Sequence, residues 1–194
     1  VYNPIQERFV KQLGQITENQ VDKEIASLYN IYYGMANAKE SSGIERAYVS
    51  YTVSHSIKMT EDDLNRLITI IAKADMLNYE GLSNKELYGK LDTIFKSEEN
   101  RELLSDINSE RTAIMTAADS GEYDISSGVW FSMISEKINL ITNAENLLLD
   151  AMGERAKTVQ SESLRVLSVT VSIWIIAIIL ALLGYLLSNE IARN

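Results

Sequence analysis

The stretch that most constrains this chain lies near its C-terminus. From Val166 to Leu187 it reads VLSVTVSIWIIAIILALLGYLL, with no Asp, Glu, Lys, Arg, His or Pro. A helix needs about 20 consecutive apolar residues to cross the hydrocarbon core of a bilayer. The core helix of a soluble protein rarely runs so far without a charge. Residues 166–187 are therefore read as a transmembrane helix. Residues 1–165 must then fold on one side of the membrane, and residues 188–194 begin whatever lies on the other.

The net charge of −9 belongs almost wholly to the first part, because one Glu and one Arg follow Arg165. An acidic domain is poorly matched to nucleic acid or to anionic lipid headgroups, which attract Lys/Arg patches. Cysteine is absent, which excludes disulfides and thiolate metal sites. A single proline, Pro4, and sparse glycine suit a helical chain rather than a sandwich or barrel. The chain starts at Val1, and Pro4, Gln6, Glu7 and Arg8 leave no room for the apolar core of a signal peptide. An upstream signal or membrane segment is expected.

Helical periodicity covers the rest. Asn3-Pro4 reads as a helix start, followed by Ile5, Phe9, Val10, Leu13 and Ile16 at helical spacing. A long helix is predicted from about Val21 to Ile57, although Ser41-Ser42-Gly43 in its interior are poor helix formers. Thr60 with Asp63 resembles a capping box for a helix ending at Gly81, and Ser83 with Glu86 for the next. Polar residues 97–100 interrupt that helix, and a loop lies around Tyr123, between Asp119-Ser120-Gly121 and Ser126-Ser127-Gly128. The last helix starts near Ser127 and meets no Pro before Leu187. Ile134, Ile138, Ile141, Leu148, Met152 and Val159 form a seam along it, if Glu145 and Arg155 are allowed at two positions. That seam serves either a homodimer or the chain's own bundle. The expected fold is all-α: an antiparallel helical bundle whose long C-terminal helix continues into the membrane.

Catalytic chemistry has little to work with. His55 is the sole histidine, so a single chain can build no histidine metal site, dyad or triad. No glycine-rich phosphate loop is present. Neither an enzyme, nor a metal site, nor a cofactor is expected. The sharper signal is the run KESSGIERA, residues 39–47. On a helix, Lys39, Gly43, Arg46 and Ser50 share one face, with Ser42 beside them. Arg46 has Ser42, Gly43, Val49 and Ser50 as its neighbours at three and four residues, and none is acidic. Lys39 has Met35, Ala36, Ser42 and Gly43. The usual intrahelical ion pair is closed to both. A guanidinium inside a bundle needs an anion, and a planar oxyanion suits its fork. Otherwise Arg46 pairs with an acid from another helix or reaches water. Arg111 has the same profile and is the second candidate, with Trp130 as a wall of the site. The aromatic pair Trp130-Phe131 at the helix start reads first as packing against the loop before it, with a wall of the ligand site as the alternative.

These residues also resemble a known family. KESSGIERA is similar to the KE-x-x-GIERA motif of the nitrate- and nitrite-sensing, or NIT, domain. WFSMISEKINLITNAE, residues 130–145, resembles that family's WF-x-x-x-T-x-K-I-x-x-L-x-x-V-E segment, with Ser135 for Thr and Ala144 for Val. YNPIQERF resembles its Y-x-P-I-I-E segment. The resemblance spans about residues 2–155 and matches the C-terminal part of such a domain, without the earlier Q-x-ERG motif. It implies two stacked helical bundles outside the membrane of a bacterial receptor, with nitrate bound by arginines of both regions. Arg46 falls on the second. The tail SNEIARN is similar to the junction before a HAMP linker.

The resulting expectation is a sensor domain over residues 1–165, a membrane helix over 166–187, and the start of a cytoplasmic linker over 188–194. It would serve a bacterial chemoreceptor or sensor kinase of the inner membrane, with the sensor extracytoplasmic and the receptor a homodimer. The anion site would be Arg46, Lys39, Ser42, Gly43 and Ser50, and its ligand nitrate or nitrite. The rivals are a helical sensor of another small molecule or partner protein, a tail-anchored structural protein, and an enzyme.

Overall fold

A computed structural model of the chain describes residues 22–193, and side chains as far as residue 180. The expected helix from Asn3-Pro4 lies outside the described residues. Those described fold as α1 Lys23–Ser54, α2 Glu61–Ala74, α3 Lys85–Lys96, α4 Glu98–Thr116 and α5 Ser127–Arg193. No strand occurs among them, so the fold is all-α. The chain divides into two compact units, Val1–Met152 and Gly153–Asn194.

In the first unit, Asp22 caps α1 by accepting from the amides of Glu24 and Ile25 at 3.0 and 3.2 Å. Ser41-Ser42-Gly43 do not break α1. Ser41 and Ser42 are buried, and Ser42 Oγ donates to the Ala38 carbonyl at 2.9 Å. Packing here overrides the weak propensity. Thr60 and Asp63 form the expected reciprocal capping box at the start of α2.

Two boundaries differ from the sequence expectation. First, α2 stops at Ala74 rather than Gly81, with Asp75 as its C-cap. The Asp75 side chain is drawn to cations on other helices. The loop beyond it buries Tyr79, whose ring stacks on Phe95 at 5.6 Å. Second, the cap of α3 is Asn84, not Ser83. Its side chain accepts from the amides of both Glu86 and Leu87, two of the donors a helix start leaves unpaired. The expected interruption at 97–100 narrows to Ser97, which ends α3 and opens α4. Beyond α4, Gly121 has φ +72°, and a Cβ there would meet the Ser56 carbonyl oxygen at 2.6 Å. Tyr123 Oη donates to the Ile57 carbonyl at 2.6 Å, so this loop is tied to the end of α1.

The apolar interior forms two clusters. One gathers Val49 and Val53 of α1, Leu67, Ile107, Ile114, Trp130 and Ile134. The other gathers Leu28 and Met35 of α1, Tyr79, Leu91, Phe95, Ile141 and Leu148. The end of α1 thus meets the start of α5, and its beginning meets residues 141–148, so the two helices run antiparallel. The seam residues Ile134, Ile141 and Leu148 are fully buried within this unit. Between the clusters on α1 lie Ser41, Ser42 and Glu45, and on α5 lies Lys137, all buried.

The second unit is the remainder of α5. Every residue from 160 to 180 is exposed, including Trp174 and the isoleucines around it. Among the described residues this is the one helix long and apolar enough to cross a membrane.

Candidate functional site

The polar residues between the two clusters form two ion-paired groups and one outlier. In the first group, Arg111 of α4 donates through Nε and Nη2 to both oxygens of Glu45, each at 2.7 Å. This is the bidentate fork that suits guanidinium and carboxylate. Arg111 also reaches Asp75 at 2.8 and 3.3 Å and Asn108 Oδ1 at 2.8 Å. Lys137 of α5 donates to Asp75 Oδ1 at 2.5 Å. Two acids and two bases thus balance one another. Burial opposes charge on Arg111, but Glu45 and Asp75 outweigh it and raise its pKa. Burial would raise the Asp75 carboxyl, yet Lys137 and Arg111 hold it below its ordinary value. Burial, aided by repulsion from Arg111, lowers the Lys137 ammonium despite Asp75 and Glu45.

The second group is Lys39 of α1 paired with Glu145 of α5; the lysine side chain is 35% exposed and the glutamate 5%. The outlier is Arg46. Its Nη1 donates to Ser135 Oγ at 2.8 Å, and Ser135 in turn donates to the Phe131 carbonyl at 2.6 Å. The guanidinium lies over the Phe131 ring, 4.4 Å from its centre. Among the described residues, no carboxylate lies within ion-pair distance of Arg46.

The candidate residues therefore separate. Lys39 and Arg111, read from local sequence as cations without acid partners, are neutralised by acids from other helices or loops. Arg46 alone keeps neutral partners. Ser42 spends its hydroxyl on its own helix. Gly43 is half-buried, and a Cβ on it would meet nothing within 4 Å. Ser50 Oγ is buried with no hydrogen-bond partner, and so is Trp130 Nε1. Trp130 is fully buried in the first apolar cluster, whereas its neighbour Phe131 is half exposed and carries the arginine.

Sequence reasoning missed Glu45, Asp75 and Lys137 as partners and Ser135 as the seat of Arg46, while Phe131 entered it only beside Trp130, as the alternative wall of a ligand site. One signal was present. Lys137 lies three residues after Ile134 and four before Ile141, in phase with the buried stripe of α5. A lysine there must be buried and paired.

The two segments quoted above are thus two facing surfaces. Lys39 meets Glu145 at one end, and Arg46 meets Ser135 at the other. The sequence model of a family described as "Nitrate and nitrite sensing" matches residues 1–153. The chain belongs to the NIT family. No curated protein and no solved structure matches it. The match ends at residue 153, beside the boundary of the first compact unit at Met152. The NIT domain and that unit therefore coincide, and α5 leaves the domain without a helix break.

Proposed function

We propose that this chain is the sensing region and membrane helix of a bacterial transmembrane receptor, and that it binds nitrate or nitrite at Arg46. The supporting observation is that Arg46 is the cation of the quoted motif that keeps only uncharged partners. A planar oxyanion can take two guanidinium N–H groups side by side. It would compete with Ser135 for one of them. Phe131 shields the site on one side, and Ser50, one turn along the same helix face, offers a free hydroxyl. Lys39 sits at the other end of that face, committed to Glu145.

The proposed mechanism follows from where these groups sit. Arg46 is on α1, while Ser135 and Phe131 are on α5. An anion that draws Arg46 from Ser135 alters the α1–α5 contact, and α5 continues through residues 166–187. The ligand shifts the equilibrium only by its differential affinity for the two arrangements. The receptor would be a homodimer of the inner membrane with its NIT domain outside, and its output a methyl-accepting or kinase module beyond residue 194.

Isothermal calorimetry of the chain with sodium nitrate tests the site. Arg46→Ala is expected to abolish measurable binding, and Ser135→Ala to leave it within a few-fold of wild type. Undiminished binding by Arg46→Ala would remove the site from Arg46.

A further inference from the structure

The group around Asp75 has an asymmetry that a purely structural ion cluster does not need. Its two cations are buried, with Arg111 5% and Lys137 2% exposed in their side chains, whereas the Asp75 side chain is 45% exposed. Glu45, the other acid, is fully buried and fully used by its bidentate bond to Arg111. One acid is therefore locked in the interior, and the other covers the cations from the surface.

Asp75 is also badly placed by local rules. It caps the C-terminal end of α2, where the helix dipole disfavours an anion. Its hold there comes from Lys137 and Arg111. The residues after it are non-helical as far as Asn84, so the side chain can leave without unwinding a helix. Each of its oxygens receives N–H donors from these cations: Oδ2 from Arg111, and Oδ1 from Lys137 and Arg111. A free planar oxyanion has the same pair of acceptor oxygens.

We propose that Arg111 and Lys137 form a second oxyanion site, filled from within the chain by the Asp75 carboxylate, and that a small carboxylate-like anion can take the place of Asp75. The site is separate from Arg46, which contacts neither cation. Exchange would leave both buried cations neutralised while freeing the end of α2 from α4 and α5. The anion would thus act on the packing of the helix that leaves the domain.

Chemical rescue tests this. The full chain in detergent micelles carries Arg46→Ala throughout, so the result stands apart from the nitrate reading. Thermal unfolding is followed while sodium formate replaces sodium chloride at constant ionic strength. Adding Asp75→Ala is expected to lower the melting temperature. Formate should then raise it saturably, by about 4 °C at ten times its dissociation constant. The parent with Asp75 intact should respond far more weakly, because formate must first displace the carboxylate. Asp75→Asn, which keeps the side-chain shape, should respond in the same direction and carries the test if the alanine variant fails to fold. Adding Lys137→Met to either should abolish the response, because Glu45 and Arg111 then balance alone. An equal shift with and without Asp75, no shift in either Asp75 variant, or persistence of the shift without Lys137 would each overturn the proposal.

Discussion

Arg46 and Arg111 begin from the same local sequence and end in opposite situations. Neither has an acid three or four residues away. Yet Arg111 is held between Glu45 and Asp75 with 4% of its surface exposed, while Arg46 rests on a serine and a phenylalanine ring. The difference is made by other helices. Glu45 and Arg46 are adjacent on α1, but a helix turns by about 100° per residue, so Glu45 faces α4 and Arg46 faces the flank of α5. One arginine belongs to the scaffold. The other is held by groups that an anion can displace.

Stability measurements should separate them, and the largest effect is at Arg111. Arg111→Ala leaves Glu45 charged and buried without its partner, which typically costs about 3–5 kcal/mol. Arg46→Ala removes one hydrogen bond, worth about 1 kcal/mol, and a half-exposed cation–π contact worth about 0.5–1 kcal/mol. Its cost should stay near 1–2 kcal/mol in urea unfolding. Equal losses for the two variants would mean that Arg46 is structural after all.

Acid titration sharpens the same contrast from the side of the carboxylates. Burial acts to raise the pKa of Asp75, but Lys137 and Arg111 prevail and depress it below 3.8. A carboxylate with a depressed folded pKa stabilises fully above its unfolded value and loses that contribution as pH falls through its folded value. The Asp75 contribution should therefore be constant from pH 7 to about 5 and disappear only below 3.8. Asp75→Asn should lower the melting temperature at pH 7 and flatten its fall in acid. Parallel acid limbs for the variant and the wild type would show that Asp75 is not held by these cations.

What could be read in advance was what local rules decide. The apolar run at 166–187, the Thr60–Asp63 box, the loop around Tyr123 and the start of α5 near Ser127 each rest on a few consecutive residues. Asp75 as the end of α2 depends on where its side chain finds partners across the bundle, whereas Asn84 takes the cap of α3 from the neighbouring Ser83 by accepting from two amides of its own first turn. The ion network is non-local throughout: Glu45 and Arg111 are 66 residues apart in the chain. Some of it was nevertheless marked. Glu145 follows Ile141 by four residues and precedes Leu148 by three, in phase with the same buried stripe as Lys137. Charged residues in phase with an apolar stripe announce a buried pair without naming the partner. Ser41-Ser42-Gly43 show the converse, since these weak helix formers sit inside the predicted long helix and two of the three are buried helix positions.

The smallest expected effect bears on how far the Arg46 face extends. Gly43 lies one turn before Arg46 on α1, and a Cβ there would meet only open space. Nothing in the packing of the described residues requires glycine. Alanine in a helix interior gains about 1 kcal/mol over glycine, so Gly43→Ala should stabilise the chain by roughly that amount in urea unfolding. If the space is kept for an anion on Arg46, the same variant should bind nitrate several-fold more weakly by calorimetry. A variant that is stabilised and binds as wild type would confine the site to Arg46, Ser50, Phe131 and Ser135. With both stability and affinity measured on one substitution, the added methyl distinguishes a glycine kept for the ligand from one that the fold merely tolerates.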